Sequence, residues 1–197
     1  MRAYHPLPSH KLAANGLCVL MQPVAPRVTL DSPALEVMTD LARVPAVAIN
    51  GTASLDQANS YMIARGVRSL FVMEGAGGVC GLITATDVLG ERAMRVAHAR
   101  GMNRGELSVS DVMTPLGAVV AFTLRDVAAA KVGHVVASLR QSSRHHGLVA
   151  EPVAQGGERI RGIFSATEIA RQLGEPLDIP EFATTFAEVE QALAPLR

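Results

Sequence analysis

Apolar and polar positions along the chain run twice through the same order. AVAI at 46–49 is a short apolar run that predicts a buried strand. In SLDQANSYMIARG, Leu55, Ala58, Tyr61 and Met62 fall on one face at helical spacing, Ser54 and Gln57 form a capping box, and Gly66 suits the stop. SLFVM at 69–73 and VCGLI at 79–83 read as strands joined by the turn GAGG at 75–78, and TATDVLGERAMRVAHAR at 84–100 as a second helix. The second round gives VVAF at 119–122 as a strand, KVGHVVASLRQ at 131–141 as a helix and GLVAE at 147–151 as a strand. After the polar turn PVAQGGER come the strand IRGIF at 160–164 and the helix SATEIARQLG at 165–174.

Each round is preceded by a VMT triplet, VMTD at 37–40 and VMTP at 112–115. Ser32-Pro33 predicts the start of a short helix through VMTDL. The extra residues of the second copy fall in the PVAQGGER turn and around LRDVAAA. The fold class expected is α+β, with two β-α-β-β-α units. Each is too small to close a good core alone, so the two dock about a pseudo-twofold axis and hold two related clefts. An N-terminal arm covers 1–31, the units 32–105 and 106–175, and a tail 176–197. Within the tail, TTFAEVEQAL predicts a helix with Thr185 and Glu188 as its capping box and Phe186, Val189 and Leu193 as its apolar face.

Charged residues make up only 18% of the chain, against about 25% in an average domain, which points to surface hidden against a second copy in a homodimer. Basic and acidic residues balance at 18 each, so neither nucleic acid nor an acidic membrane is expected as a partner. Cys18 and Cys80 lack metal-site or disulfide spacing and read as reduced thiols of a cytoplasmic protein. LAANGLCVLMQPVA at 12–25 is interrupted by Asn15, Gly16, Gln22 and Pro23 and is shorter than the ~20 residues of a membrane helix. It is expected to pack on the domain.

The candidate chemistry lies in a repeated heptad, GLITATD at 81–87 and GIFSATE at 162–168: glycine, two apolar residues, a hydroxyl, two small residues, a carboxylate. Thr84 with Asp87, and Ser165 with Glu168, fit capping boxes. The same atoms suit a nucleotide. Free amides at a helix start favour phosphate, and a carboxylate one turn in accepts both hydroxyls of a ribose. Gly81 and Gly162 let a ligand approach the strand closely.

Together, the unit order, the VMT segments and the heptads resemble a tandem pair of CBS domains, the Bateman module, over about 32–174. That resemblance implies a regulatory module binding adenosine-type ligands, namely AMP, ADP, ATP or S-adenosylmethionine, in clefts between the domains. Carried over, Thr84 and Asp87 serve one cleft, Ser165 and Glu168 the other. Backbone framing the base then falls at Val44, Pro45 and Ala46 in copy one and at 116–118 in copy two. Glu168 departs from the usual aspartate and moves its carboxylate outward, which ranks the Asp87 cleft first.

Basic candidates for ligand phosphate are Arg65 and Arg68, and Arg144, His145 and His146, each set just before a strand. SRHHG does not read as a metal site, because adjacent histidines diverge on a strand and no third ligand lies nearby. The chain has no nucleophile elbow, Walker sequence, H-E-x-x-H, or G-x-G-x-x-G between a strand and a helix. The expectation is therefore a non-enzymatic sensor without cofactor or metal. It would take an adenine nucleotide as regulatory ligand and signal to an unidentified regulated protein. Two rivals stay open: an interaction module whose clefts bind nothing, and a small nucleotide hydrolase with a cryptic site.

Overall fold

The computed structural model of the chain describes residues 5–12, 16, 18–21, 27–75, 78–154 and 156–179. The expected C-terminal helix at 184–193 and much of the 12–25 segment lie outside the described residues.

In the first half the strand β2 (Ala48–Asn50) leads to helix α1 (Leu55–Arg65), then to strands β3 (Ser69–Glu74) and β4 (Gly78–Thr84). The Ser54/Gln57 capping box is formed, and Gly66 ends α1 in the left-handed conformation. Leu55, Ala58 and Met62 are buried as expected, but Tyr61 is exposed, with the Arg65 guanidinium 5.7 Å from its ring centre. The helix expected over 84–100 is two: α2 (Ala85–Leu89) and α3 (Glu91–Arg100), separated by an extended Gly90. In the second half come β6 (Val120–Thr123), α5 (Leu124–Ala129), α6 (Val132–Gln141), β7 (His146–Pro152), β8 (Glu158–Ser165) and α7 (Ala166–Leu173). LRDVAAA is thus helical, started by Thr123, whose hydroxyl accepts the Asp126 amide at 3.1 Å.

The short helix expected through VMTDL is corrected. A single 3-10 turn covers Ala34–Val37, and Thr39–Asp40 is already a strand, β1. Ser32 does not cap that turn; its hydroxyl accepts the Thr29 amide at 3.0 Å. The open edge of β8 draws the chain out of helix, with Thr39 opposite Ile163 and Asp40 opposite Gly162. The second VMT segment does the same. Helix α4 (Val109–Val112) leads to strand β5 (Thr114–Pro115), which pairs with β4.

Each sheet is therefore closed by a strand that chain order assigns to the other half: β2-β3-β4-β5 and β6-β7-β8-β1. The cores follow the sheets. Leu107, Val109 and Val112 are buried with Leu55, Leu70 and Ile83 of the first sheet's unit, whereas Ala34 and Val37 are buried with Leu139, Phe164 and Ile169 of the second. Packing exchanges one segment each way across the boundary expected at 105/106. Between the sheets, Phe71 and Leu82 meet Leu148 and Ile163 in a third buried cluster.

Candidate functional site

Strand alternation decides what faces the gap between the sheets. Side chains two residues apart share a face, so Ser69 and Thr84 lie on the side of Phe71 and Leu82, and His146 and Ser165 on the side of Leu148 and Ile163. Ser69 is paired with Thr84 and His146 with Ser165, so each motif hydroxyl has a polar neighbour where its sheet meets the other. The motif helices leave from these points. The Ala85 amide bonds the Arg68 carbonyl and the Ala166 amide bonds the His145 carbonyl, both at 2.9 Å. Arg68 and His145 are exposed beside those helix starts.

The first motif forms the expected box. Thr84 Oγ1 accepts the Asp87 amide at 3.1 Å, and Asp87 Oδ2 accepts the Thr84 amide at 2.9 Å and its hydroxyl at 2.8 Å. Asp87 Oδ1 accepts from Arg92 Nη1 at 3.1 Å. Arg92 also donates to Thr114 Oγ1 at 3.0 Å and to the Met113 carbonyl at 2.9 Å, tying the motif carboxylate to the exchanged segment. His146, from the other sheet, is near enough for its charge to interact with that of Asp87. Burial pushes the imidazole down to about 4; Asp87 acts against that fall and His145 adds to it. His146 is therefore neutral at pH 7 and can donate from one ring nitrogen and accept at the other.

The second motif does not form its box. Ser165 makes no side-chain cap, and Glu168 accepts from Arg171 at 3.0 and 2.6 Å and from Gln172 at 2.7 Å, all on its own helix. Arg171, then Gln172, hold the Glu168 carboxyl below the usual range against partial burial.

Gly81 and Gly162 serve a packing need that the heptads alone do not reveal. A Cβ on Gly81 would lie 2.6 Å from the Met113 sulfur and 2.7 Å from the Thr114 carbonyl oxygen; one on Gly162 would lie 2.5 Å from the Met38 sulfur. The methionine of each VMT triplet fills the space beside the other copy's motif glycine. The space expected to admit a ligand is occupied by the chain itself.

The exchange also crosses the framing segments. The turn at Leu116–Ala118 follows β5 and packs against β4, where the register of Gly81 with Pro115 carries it towards Gly78 and away from Thr84, whereas the Val44 amide bonds the Asp40 carbonyl on the β8 side. Chain order puts Val44 in copy one and 116–118 in copy two; the swap of β1 and β5, which has no local signal, packs each against the other copy's sheet. Val44 lines a cleft of about 630 Å3 with Leu35, Met38, Asp40, Leu124 and Arg161, which includes none of the four motif hydroxyls and carboxylates. Pro45 and Ala46 are exposed. In this cleft Asp40 pairs with Arg161 and, at 3.5 Å, with Arg43.

Sequence reasoning missed Arg92, which is five residues beyond Asp87 and belongs to no motif. Among the described residues no group of three or more His, Cys, Asp or Glu is placed to hold a metal ion. No helix among them is long and apolar enough to cross a membrane.

Residues 34–93 match the family model of the CBS domain. No curated protein matches the chain. Among solved structures, an uncharacterized conserved protein from Pyrococcus horikoshii is similar at 19% identity and a TM-score of 0.52, over 86% of this chain and 98% of that one. A CBS-domain containing protein from Agrobacterium tumefaciens is 21% identical, over 67% of this chain and 88% of its own, with a TM-score of 0.49. A CBS domain pair solved with 5′-methylthioadenosine and S-adenosyl-L-methionine is 18% identical, over 75% and 97%, also at 0.49. At such identities the Pyrococcus likeness speaks to fold alone.

Proposed function

We propose, from the match of residues 34–93 to the CBS domain and from the two exchanged four-stranded sheets, that the protein is a regulatory module. It takes an adenosine-type ligand, AMP, ADP, ATP or S-adenosylmethionine, at Thr84 and Asp87 and passes its ligand state to a partner protein. No bond is made or broken. The observation that carries this reading is that Thr84 and His146 lie on the facing sides of the two sheets, with Asp87 near enough to act on the His146 charge. A ligand touching all three bridges the halves of the chain, which the cap of one helix has no need to do. Ligand then shifts a homodimer between arrangements, to the extent that it binds one better than the other. Free Cys18 and Cys80 are compatible with a cytoplasmic location.

A ligand-free interaction module is favoured by one feature: Asp87 and Glu168 both already have partners within the protein. Isothermal titration and thermal shift with the four ligands, on the natural chain and on Asp87→Asn, separate the readings. At a hundred times the dissociation constant, stabilisation is about 2.7 kcal/mol, or roughly 5–10 °C for a chain of this size. A shift abolished by Asp87→Asn, with the variant still folded without ligand, supports the sensor. A flat panel on the natural chain overturns it in favour of the interaction module, and release of product from ATP would replace both with the hydrolase.

A further inference from the structure

Asp87 is close to saturated before any ligand arrives. A carboxylate offers about four acceptor positions. Two on Oδ2 are taken by the amide and hydroxyl of Thr84, and one on Oδ1 by Arg92. A ribose cis-diol brings two donors where one position is left. Something must yield for both hydroxyls to bind.

Arg92 is the group that yields at lower cost. The bonds from Thr84 close within three residues, and breaking them strands a backbone amide at a part-buried helix start. The Arg92 side chain is 37% exposed, against 13% for Asp87, so water can take up its released guanidinium. Its position depends on the break at Gly90. In one unbroken helix, residues five apart point about 140° away from each other, whereas the extended Gly90 starts α3 afresh and turns Arg92 back over Asp87.

Release has a consequence beyond the cleft, because the same guanidinium holds the Thr114 hydroxyl and the Met113 carbonyl at the start of β5. That segment closes the first sheet over Gly81 and runs on directly through the turn at Leu116–Ala118 into β6 of the second sheet. Glu168 differs: its partners Arg171 and Gln172 belong to α7 itself, so a ligand displacing them pulls on no exchanged strand.

We propose, building on the adenosine-ligand reading above, that Arg92 competes with the ligand's ribose diol for Asp87, so that filling the first cleft withdraws Arg92 and loosens β5. Arg92 is thus a positioning residue that lowers the cleft's affinity and converts its occupancy into motion of the segment that links the two sheets.

Two measurements test this on the full chain with AMP, ATP and S-adenosylmethionine as probes. In calorimetry, Arg92→Met, which keeps the stem and removes the charge, should bind whichever probe the natural chain prefers about tenfold tighter, and Arg92→Lys should fall between. In hydrogen exchange on the natural chain, which needs no variant to fold, the amides around 113–116 should exchange faster when the probe is bound. Equal or weaker binding by a folded Arg92→Met, or slower exchange at 113–116 on binding, overturns the competition while leaving the sensor reading intact. Binding by neither the natural chain nor Arg92→Met overturns both. Binding by Arg92→Met alone supports the competition in its strongest form.

Discussion

The two heptads occupy equivalent places in equivalent sheets, yet they end differently. Both put a glycine under a methionine of the exchanged segment and a hydroxyl at the sheet-to-sheet face. Asp87 then closes a box on Thr84 and is clamped to β5 through Arg92, whereas Glu168 abandons Ser165 for Arg171 and Gln172. Length alone does not explain this, since glutamate is a standard third residue of a capping box. Two parallel bonds from an arginine fork, joined by an amide one residue on, outcompete the lone backbone amide at the cap. One motif can therefore be copied as a fold device without being copied as a site.

Variants made in pairs, one in each half, can break or sharpen this comparison. The largest effects should come from the cores, where the halves are most alike. Phe164 and Ile83 are both fully buried and hold equivalent strand positions. Phe164→Ala should cost about 3–5 kcal/mol and Ile83→Ala about 2–5, read from urea denaturation; a cost under 1 kcal/mol at either would mean the two cores are not equivalent. Next come the glycines. At both glycines the nearest atom is a methionine sulfur that can swing aside, but Gly81→Ala must also displace a backbone carbonyl oxygen at 2.7 Å, whereas at Gly162 the corresponding oxygen is at 3.0 Å. The first should lose about 1–3 kcal/mol by overpacking and the second less, so the reverse order in melting temperature would contradict the packing described.

Smaller again is the cap. Thr84→Ala should cost about 1 kcal/mol, and Ser165→Ala, which loses no cap bond, a few tenths at most; equal losses would restore the box at Ser165. The smallest effect at neutral pH belongs to His146→Gln. In the folded chain this imidazole titrates near about 4, against an ordinary 6.5, so the unfolded chain takes up the proton first. Its contribution is complete above about pH 6.5 and drains away as pH falls towards 4. The melting temperature of the natural chain should fall more steeply across that window than that of His146→Gln; parallel curves would remove His146 from the buried face between the sheets.

What could be read from the sequence were features whose cause is local. The Ser54/Gln57 box, the left-handed Gly66 and the apolar runs of strands β3 and β8 each depend on neighbours a few residues away. Thr123-x-x-Asp126 carried the same kind of signal for α5, which the reading of LRDVAAA as inserted sequence passed over. The strand swap left no such mark. Two-residue strands such as β1 and β5 have no periodicity, and their pairing is decided by an edge that is built elsewhere in the chain. Arg92 was hidden for a related reason: its reach to Asp87 depends on the helix break, which the apolar pattern of 84–100 runs straight through.

The exchanged strands also have a kinetic meaning. The ion pair of Asp40 with Arg161 joins residues 121 positions apart, and the β1–β8 pairing beside it spans most of the described residues. Such contacts can form only after a long loop has closed, which slows folding relative to a chain of local contacts. They also interlock the halves. A fragment cut at the repeat boundary would lack the edge strand and part of the core that its partner fragment carries away, so the expected behaviour is one cooperative transition for the whole chain, with two complementary fragments folding only when mixed.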